Sequence, residues 1–499
     1  MARKTLEIPM NRVEGDLEIR ATLDDGVVAD AASSGTMFRG FEAMLVGRGA
    51  LDGLVITPRI CGICSTSHLV AAARALDAAA GIEPTEAGRL VREVALAIET
   101  VQSDVRQVLL MFAPDFASAA HQQEPLYEEA VRRHRPFAGE SVVEAIRATK
   151  HLLEIVAILG GQWPHATFAV PGGSVSAPSA AEARRCRQIL EAFRGWYERR
   201  VLGCSIERFA DVASRDALDA WLEEPPHRDG DLGFLLRYGR ALGLERLGRG
   251  PGRLLAAPSP LTAGGLAERH DVVAPLDTRL ITEDVARSWA ADHQQPLHPS
   301  VGETRPYASG SEGSRYSWAK AARYDGRPAE TGALATLVLA RDALFCDLLR
   351  TSPTDGPNAL VRVLARLVRS ARLLPKIDAA LEALGRSTGP SCPPTVAIPD
   401  GRGEGIADAP RGILGHWIEL EGGKIARYQI VTPTGWNGSP RDGAGVRGPW
   451  EEALVGTPVA NPDDPIELGY VVRSFDPCLV CTVHAVDVRG GGRAIRVGS

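Results

Sequence analysis

The sequence predicts an α+β fold with a mainly helical core and β-rich segments at both ends of the chain. Two patterns carry this prediction. Apolar and polar residues alternate near both termini, as in half-buried strands, whereas the apolar residues of the centre recur at a helical spacing of three and four. A chain of 499 residues, 44 % of them hydrophobic, is long enough to bury a large core.

The two terminal segments are expected to supply the strands. The N-terminal β segment covers residues 1–35, where "LEIRATL" alternates, "DDG" turns and "VVADAA" returns, so we expect a strand and a hairpin over residues 5–32. The C-terminal β segment covers residues 395–484. There, "GILGHWIELEGGKIARYQIVTP" predicts a second hairpin that turns at Gly422 and Gly423.

The helical core is predicted between residues 60 and 390. Ser179 is predicted to cap one of its helices, because Glu182 follows three residues later. Two stretches rich in Gly, Pro and polar residues, 223–270 and 293–328, are predicted to be long surface loops. The predicted helices cover residues 68–113, 140–160, 179–200, 275–292, 330–350 and 358–384.

Composition argues against several classes of protein. The formal net charge of −6 and a pI near 6.1 are unlike a nucleic-acid binder, which carries a basic surface. The N-terminus has no apolar stretch for a signal peptide, and the best candidates for a membrane span are too short or interrupted by Arg341 and Asp342. We therefore expect a cytoplasmic or peripherally membrane-associated chain with no span of its own. An exported partner could still carry it across a membrane.

Four of the eight cysteines form two Cys-x-x-Cys pairs. Cys61 and Cys64 lie in "RICGICSTSH", Cys478 and Cys481 lie in "DPCLVCTVH", and 413 residues separate the pairs. Four thiolates favour zinc, an iron–sulfur cluster or another thiophilic metal. A structural zinc site is the commonest use of such pairs, but zinc modules close short loops of about 15–20 residues. A thioredoxin-like pair is a weaker alternative, because neither pair opens a recognisable βαβ unit.

These motifs resemble those of the large subunit of nickel–iron hydrogenases. The two cysteine motifs stand near the start and the end of the chain, as they do in that family. Five further stretches match in order: "RVEG" with Glu14, "FRGFE" with Glu42, "GGQWPHATFAVPGG" at 160–173, "APRGILGHWI" at 409–418 and "YQIVTPTGWNGSPRD" at 428–442. The resemblance covers nearly the whole chain. It implies reversible cleavage of dihydrogen into two protons and two electrons.

The resemblance implies a nickel–iron centre. The four thiolates would hold nickel, with Cys61 and Cys478 as terminal ligands. Cys64 and Cys481 would also bridge to an iron that carries carbon monoxide and cyanide. A second, redox-inert metal, usually magnesium, would lie nearby.

Ten further residues receive roles from the resemblance. They are Glu14 as a proton relay, Arg411 over the open metal position, Asp476 and Asp104 as its accompanying acids, Pro410 beside it, Thr434 as a donor to cyanide, His68 as a donor to a thiolate sulfur, and Glu42, the backbone carbonyl of Ile430 and His484 as magnesium ligands. Without the resemblance, Glu14 would be interpreted as a solvated turn residue and Arg411 as one surface arginine among many.

The resemblance also accounts for the residues after the second motif. The family is made with a C-terminal extension that a maturation protease removes after the His of that motif, here His484. Residues 1–484 would then form a single domain, and residues 485–499 would be the extension. We expect the extension to keep the strand with Cys478 and Cys481 open until the metals are loaded. The implied partners are a small subunit carrying Fe–S clusters, the maturation protease and nickel-insertion factors.

Two other functions are consistent with parts of the pattern. A hydrogen sensor would keep the same metal site, although sensors of this family typically lack the cleavable extension. An electron-transfer subunit akin to the related subunit of respiratory complex I is disfavoured, because that relative has lost the cysteines. The chain departs from the family at Asp16, where His is common, and in "SDVRQVLLMFAPDF" around Asp104. These departures leave the subgroup and the local proton routes open.

Overall fold

The computed structural model describes residues 3–290, 293, 295–306, 314–393 and 398–479. Cys481, His484 and the expected C-terminal extension lie outside these residues. Among the described residues, one large hydrophobic cluster includes side chains from Leu6 to Leu479. Both ends of the chain therefore pack into the same core.

The strands of the described residues form small antiparallel sheets. Their orders are β1-β2-β3, β4-β5, β6-β7-β8, β9-β10 and β11-β12-β13. The strands are β1 Lys4–Pro9, β2 Leu17–Asp24, β3 Val27–Gly35, β4 Ala169–Val170, β5 Gly173–Ser174, β6 Arg253–Ala256, β7 Gly265–Glu268, β8 Asp271–Ala274, β9 Ile281–Asp284, β10 Ala321–Tyr324, β11 Gly401–Ala409, β12 Gly412–Glu421 and β13 Lys424–Val431.

Helices make up most of the centre of the chain, as predicted. They are α1 Phe41–Leu45, α2 Asp52–Ile56, α3 Ser65–Ala80, α4 Glu86–Arg106, α5 Tyr127–His134, α6 Glu140–Leu152, α7 Glu154–Gly160, α8 Ala180–Trp196, α9 Ile206–Ala210, α10 Arg215–Leu222, α11 Pro225–Asp229, α12 Asp231–Ala241, α13 Ala333–Leu339, α14 Ala343–Arg350, α15 Ala359–Arg386, α16 Pro433–Asn437, α17 Pro449–Leu454 and α18 Ile466–Ser474. Two π-helical segments, Gln107–Phe112 and Tyr197–Leu202, extend α4 and α8.

The long helix α15 lies at the centre of this arrangement. It packs against α4, α8, α12, α13 and α18, and most of its first half is buried. Asn358 caps it, since the Asn358 side chain accepts a hydrogen bond from the Val361 N–H at 3.0 Å. Three arginines on this helix, Arg362, Arg366 and Arg369, are buried, and the last of them donates to Asp104 and to the Pro410 carbonyl.

Both terminal hairpins are confirmed, and so is the strand expected beside the first of them. β2 and β3 turn at Asp25 and Gly26, whose φ angles of 50° and 79° suit a two-residue hairpin turn, and the expected strand is β1, which pairs with β2. β12 and β13 turn at Gly422 and Gly423, with φ angles of 59° and 72°. The second sheet has one strand more than predicted, β11, which pairs with β12.

The predicted helices are largely confirmed, although some are divided. The stretch 68–113 contains α3, α4 and a π-helical segment, and Gly81, with a φ angle of 64°, ends α3. The stretch 330–350 is divided between α13 and α14. At α8 the capping box is confirmed: the Ser179 hydroxyl accepts from the Glu182 N–H at 3.2 Å, and the Glu182 carboxylate accepts from the Ser179 N–H at 2.8 Å.

Two predictions of local structure are wrong. The described part of 275–292 forms no α-helix, only the 3₁₀ turn Thr278–Leu280. It contains β9, which pairs with the distant β10, so tertiary pairing overrides local spacing. The stretch 223–270 is not a loop, since it contains α11, α12, β6 and β7. Pro225 and Pro226 start α11, where their missing N–H groups cost nothing, so proline content alone misled the prediction.

The sheet β11-β12-β13 lies directly on α3, and two glycines make this close contact possible. A Cβ atom on Gly405 would lie 2.0 Å from the carbonyl oxygen of Ala71, and one on Gly403 would lie 2.0 Å from that of Ala75. Any side chain at either glycine would push the sheet off the helix. β11 and α3 run in opposite directions, so later residues of the strand contact earlier residues of the helix. The strand therefore leads Arg411, which follows it, towards the start of α3, directly after the first cysteine pair.

A buried acid on α17 provides a test of this packing. Glu451 accepts hydrogen bonds from the Ser33 N–H and from the Tyr316 hydroxyl, both at 2.8 Å. Burial raises the pKa of Glu451 from 4.5 to about 7. The folded state thus favours the neutral acid, and its stability falls as the pH rises from about 4.5 to 7. The whole difference corresponds to about 3 kcal/mol.

We expect Glu451→Gln to remove this pH dependence, because glutamine keeps the acceptor oxygen without a charge. The variant should melt at a higher temperature than the wild type at pH 8 and at nearly the same temperature at pH 5. Glu452→Gln, next to it on α17 and partly exposed, is the control and should show no such trend. Thermal melting curves of the wild type and both variants across pH 5–8 would measure these differences. A difference in melting temperature between E451Q and wild type that stays constant over this pH range would refute the prediction.

Candidate metal centre

Three cysteines from distant parts of the chain meet at one buried point. Cys61 follows the 3₁₀ turn Thr57–Ile60, Cys64 precedes α3, and Cys478 comes shortly after α18. Their sulfur atoms all lie within 4.8 Å of one another, with 3.6 Å between Cys61 Sγ and Cys478 Sγ. A disulfide would need about 2 Å, whereas two thiolates on one tetrahedral ion lie about 3.8 Å apart. The spacing therefore fits a shared metal, and the fourth predicted ligand, Cys481, is outside the described residues.

The start of α3 favours negative charge on these sulfurs. The N–H groups of Ile63 and Cys64 donate to Cys61 Sγ at 3.3 and 3.5 Å. Cys64 itself is the N-cap of α3, so the positive end of the helix dipole lies at the first cysteine pair. Both features stabilise thiolates, the form in which cysteine binds metals.

Glu14 is held beside Cys478 by the backbone. The two residues form a parallel β-bridge, in which the Glu14 N–H donates to the Pro477 carbonyl at 3.3 Å and the Leu479 N–H donates to the Glu14 carbonyl at 2.6 Å. Burial raises the pKa of the Glu14 carboxyl, and the charge of Cys61 raises it further. A carboxyl with a raised pKa beside a thiolate is a better proton acceptor than an ordinary glutamate.

Arg411 and Asp476 form a buried ion pair next to the sulfurs. The Arg411 Nε lies 3.1 Å from the Asp476 Oδ1, and each side chain is only 6 % exposed. Burial lowers the pKa of Arg411, but Asp476 and the nearby cysteine thiolates raise it more, so the guanidinium stays charged. Its Nη1 makes no hydrogen bond to the described residues. A buried donor of this kind needs an acceptor, and an anionic ligand in the metal pocket would supply one.

The prediction made Asp104 an acid that accompanies Arg411, but its carboxylate pairs with a different arginine. It accepts two hydrogen bonds from Arg369, from Nε and from Nη2, each at 2.8 Å. Arg369 Nη2 also donates to the Pro410 carbonyl. Asp104 therefore acts through Arg369, which holds the residue that precedes Arg411 in the chain.

Thr434 binds the backbone of the second cysteine motif. Its Oγ1 accepts a hydrogen bond from the Cys478 N–H at 3.0 Å. Since the oxygen is the acceptor here, the hydroxyl hydrogen is available for a donor role of the kind predicted. The contact also fixes Cys478 relative to α16.

His68 belongs to a buried chain of polar groups. Its Nδ1 lies 3.1 Å from His416 Nε2, and His416 Nδ1 lies 2.8 Å from the Tyr428 hydroxyl. Burial, and then the neighbouring His68, lowers the pKa of His416, so His416 is neutral. When the Tyr428 hydroxyl donates to His416 Nδ1, the proton of neutral His416 is on Nε2 and is donated to His68 Nδ1. The proton of neutral His68 is then on its own Nε2. That tautomer is the one required for donation to a sulfur.

Glu42 lies in a separate small cavity of about 20 Å³ that Glu283, Thr304 and Lys320 also line. Its carboxylate accepts from the Ile430 N–H at 2.8 Å and from the Thr304 hydroxyl. Ile430 thus meets Glu42 through its N–H, whereas the prediction assigned its carbonyl to a metal. Lys320 Nζ is 2.5 Å from Glu283 and 3.9 Å from Glu42. Two carboxylates and one ammonium leave one negative charge, which suits a hard cation.

Comparison with known proteins identifies the family. A family model described as nickel-dependent hydrogenase matches residues 39–126 and 137–484. The large subunit of the periplasmic [NiFeSe] hydrogenase of Desulfomicrobium baculatum is 30 % identical over 97 % of this chain and 95 % of its own length. The chain belongs to the nickel-dependent hydrogenase family.

Further comparisons agree on a hydrogenase large subunit. The hydrogenase-2 large chain of Escherichia coli (strain K12) is 28 % identical over 98 % of each chain. The solved [NiFeSe] hydrogenase of Dm. baculatum matches with a TM-score of 0.83 at 28 % identity, over 97 % of this chain and 100 % of that one. The predicted fold class and function are thus confirmed: this hydrogenase chain is a catalytic large subunit that acts on H2. A hydrogen sensor is not favoured, since these relatives are named as hydrogenase large subunits or chains.

The described residues fit the nickel and iron that this hydrogenase family implies. Three buried sulfurs stand at the spacing of shared metal ligands, and the Nη1 of Arg411 has no hydrogen-bond partner in the described part of the chain. Thiolates are the ligands that soft transition metals prefer. Selenium appears in the names of some relatives, whereas this hydrogenase has cysteine at all four positions of its two pairs.

Sequence analysis missed Glu99, whose carboxylate binds the backbone directly after the first cysteine pair of the hydrogenase. Glu99 is fully buried on α4 and accepts from the backbone N–H groups of Thr66 and Ser67 at 2.8 and 2.9 Å. It also accepts from the Trp163 indole N–H at 3.2 Å. These bonds cap the first turn of α3 and so orient Cys64. Trp163 lies in one of the matched motifs and was the only signal that could have pointed to Glu99.

Arg369 and His416 were also missed. Arg369 sits in a helix whose arginines follow ordinary helical spacing, and its partner Asp104 lies far away in the chain. His416 lies inside a matched motif, "APRGILGHWI", on strand β12. The alternation of inward- and outward-facing residues along the strand indicates only that His416 faces inward. Neither role could be inferred without the tertiary contacts.

Proposed function

We propose that this hydrogenase large subunit cleaves dihydrogen heterolytically at a nickel–iron centre held by Cys61, Cys64, Cys478 and Cys481, with carbon monoxide and cyanide on the iron. One observation carries the proposal: three buried sulfurs at metal spacing lie beside a carboxyl with a raised pKa and a buried guanidinium. The fourth ligand, Cys481, is proposed from its motif.

The bound centre would supply soft, redox-active metals at which dihydrogen is polarised. The protein's part is to move the proton. Cys478 Sγ accepts it first, and the Glu14 carboxylate then takes it from the sulfur, because the β-bridge holds the two residues side by side. Burial raises the pKa of Glu14 and so makes its carboxylate a stronger proton acceptor than an ordinary glutamate.

Arg411 and Thr434 are proposed to hold the diatomic ligands of the iron. Arg411 is kept charged by Asp476 and offers an Nη1 donor to which no described residue bonds, while the Thr434 hydroxyl hydrogen is available. Asp104 and Arg369 fix the Pro410 carbonyl and so the position of Arg411. His68 is proposed to donate to a thiolate through Nε2.

We expect Arg411→Lys to lower kcat about 10²-fold, because a lysine keeps the charge but loses the planar set of donors held in the dry pocket. The KM for H2 should change little. Arg402→Lys, at an exposed arginine of β11, is the control and should match the wild type. Hydrogen-dependent dye reduction by the co-expressed complex measures both variants. A fully loaded R411K enzyme with wild-type kcat would contradict the assignment.

An infrared spectrum tests the centre itself. The complex purified anaerobically with its partner should show stretching bands of metal-bound carbon monoxide and cyanide, together with nickel and iron by elemental analysis. A preparation that contains metal but lacks these bands would overturn the proposal and favour a zinc site at the cysteines.

A second metal, magnesium, is proposed at Glu42 with the Ile430 carbonyl and His484 as further ligands. The small cavity and its surplus negative charge support it, although Ile430 uses its N–H towards Glu42. Glu42→Gln should lose one equivalent of magnesium per complex. An unchanged magnesium content in this variant would remove Glu42 from the site.

The Fe–S small subunit is proposed to dock on the surface formed by α1, α2 and the chain between them. Four large apolar side chains are exposed there, Met44, Val46, Leu51 and Val55, at 43–52 %. They lie shortly before Cys61, where electrons must leave the centre. Leu51→Asp with Val55→Asp should reduce co-purification of the small subunit. Val273→Asp, at an apolar residue of β8 that is 53 % exposed, is the control.

Maturation is proposed to remove residues 485–499 after His484, with a protease and nickel-insertion factors as partners. The family match ends at residue 484, which supports this boundary, and residues 1–484 would be the single mature domain. Until that cut, the extension is proposed to keep the strand with Cys478 and Cys481 open so that the metals can be loaded. Intact mass of the active enzyme tests the cut.

The location of the chain follows its partner in our proposal. No helix among the described residues has the length and apolar character needed to cross a membrane. The Dm. baculatum relative is named periplasmic, so export with a partner stands beside the cytoplasmic or peripheral location expected from sequence. Cell fractionation of the co-expressed complex decides between them.

A further inference from the structure

A buried ion cluster around Asp115 ties together the two chain segments that carry Glu14 and Cys478. Asp115 lies in the 3₁₀ turn Ala113–Ala117, and its side chain is 6 % exposed. Its Oδ2 accepts from Arg473 Nη1 at 2.6 Å, and its Oδ1 accepts from Arg12 Nη2. One carboxylate thus binds an arginine from each end of the chain. No role in the hydrogenase reaction follows from the motifs for any of these three residues.

Arg473 extends the cluster to the N-terminal segment. Its Nε donates to the Asn11 carbonyl at 3.1 Å, and its Nη2 donates to the Asn11 side-chain oxygen at 2.5 Å. Gln107 in turn donates to the Arg473 carbonyl at 2.6 Å. Asn11 and Arg12 directly precede the segment with Glu14, and Arg473 lies in the last turn of α18, the helix that leads to Cys478.

Both tied segments contain a residue with a strained backbone. Arg12 has a φ angle of 53° and Asp476 a φ angle of 59°, in the left-handed region that residues other than glycine seldom adopt. Arg12 stands two residues before Glu14, and Asp476 stands two residues before Cys478. Such conformations persist only where surrounding contacts hold them. The cluster supplies those contacts at Arg12 directly and at Asp476 through Arg473, whose carbonyl accepts from the Asp476 N–H at 3.1 Å.

We propose that Asp115 is a positioning residue of this hydrogenase: through Arg12 and Arg473 it holds two strained turns in the register that sets Glu14 beside Cys478. Among the described residues, two hydrogen bonds form the backbone bridge between Glu14 and Cys478, so the bridge depends on the segments around it. The inference rests on the proposed role of Glu14 for its catalytic consequence. Its structural content, the link from Asp115 to the bridge, stands without that role.

Hydrogen exchange of the intact complex tests the link. The amides of Glu14 and Leu479 donate the two bridge hydrogen bonds, and Asp115→Asn should raise their exchange rates about tenfold or more by opening the bridge locally. Asp77→Asn is the matched control, because Asp77 is an equally buried partner of one arginine, Arg92. Asp77 stands about 20 Å along α3 from Cys64. This control should leave both amides protected.

A milder variant keeps the test decisive if Asp115→Asn does not fold. Arg12→Gln removes one arm of the cluster while Asp115 and Arg473 remain a neutral pair. It should also raise exchange at both amides, and Arg12→Lys, which keeps a charge for Asp115, should restore part of the protection. Wild-type protection in R12Q, or equal loss in D77N, would overturn the proposal.

The catalytic consequence has a separate readout. In enzyme with a full metal complement, R12Q should lower kcat about tenfold, since small misplacements of a proton acceptor are costly, with little change in the KM for H2. Loss of folded protein alone would lower the amount of enzyme and leave kcat per loaded centre unchanged. Bridge opening with unchanged kcat would keep the structural link and reject the role of Glu14. This outcome separates the two proposals.

Discussion

Cys478→Ser is expected to reduce hydrogen-dependent dye reduction by the complex below about one thousandth of the wild-type rate, because the hard, weakly acidic hydroxyl is a poor ligand for soft metals. The sulfur of Cys478 is 3.6 Å from that of Cys61, so both belong to one metal site. The same sulfur is the first proton acceptor in the proposed reaction. Loss of this one atom therefore removes a ligand and a base together.

The matched control for this variant is Cys186→Ser. Cys186 is as completely buried as Cys478, but it lies on α8 and apart from the cysteine cluster. It should cost some stability, because a hydroxyl replaces a thiol in an apolar site, without loss of nickel. Nickel per chain and dye reduction are measured for both variants. Retention of nickel and activity in C478S, or their loss in C186S, would contradict the assignment.

Glu14→Gln is expected to lower kcat by about 10²–10⁴-fold while nickel and iron content stay at the wild-type level. The amide has nearly the shape of the carboxyl, and the bridge to Cys478 uses only the backbone of Glu14, so the fold around the metal should persist. What the variant loses is the group that takes the proton. Glu14→Asp keeps a carboxyl at a shorter reach and should recover part of the rate.

The pH profile gives the same assignment a second test. Burial raises the pKa of Glu14, so its accepting, deprotonated form is lost at a higher pH than for an ordinary glutamate. Oxidation of H2 by the wild type should therefore decline as the pH falls towards this raised pKa. Glu18→Gln, four residues further on in β2 and also partly buried, should keep the wild-type profile. A wild-type kcat in E14Q would assign the proton exit to another group.

Local patterns predicted the features whose causes are local. The turn at Gly422 and Gly423 and the capping box of Ser179 depend on backbone angles and hydrogen bonds within a few residues, and both are confirmed. The same logic failed for 275–292, where β9 takes its structure from pairing with distant β10. It failed again for α11 and α12, where the composition resembles that of a loop but burial in the core stabilises the helices.

The sequence by itself determined the chemistry: two cysteine pairs with soft ligands, a glutamate and an arginine in matched motifs, and the family to which they belong. Only the tertiary structure decided how these groups are held. Asp104 meets Arg369 rather than Arg411, Glu99 caps the helix after Cys64, and Asp115 joins both ends of the chain. Such contacts, across 265 positions between Asp104 and Arg369 and across 33 between Thr66 and Glu99, leave no periodicity in the sequence, because their partners meet only when folding removes the charges from water.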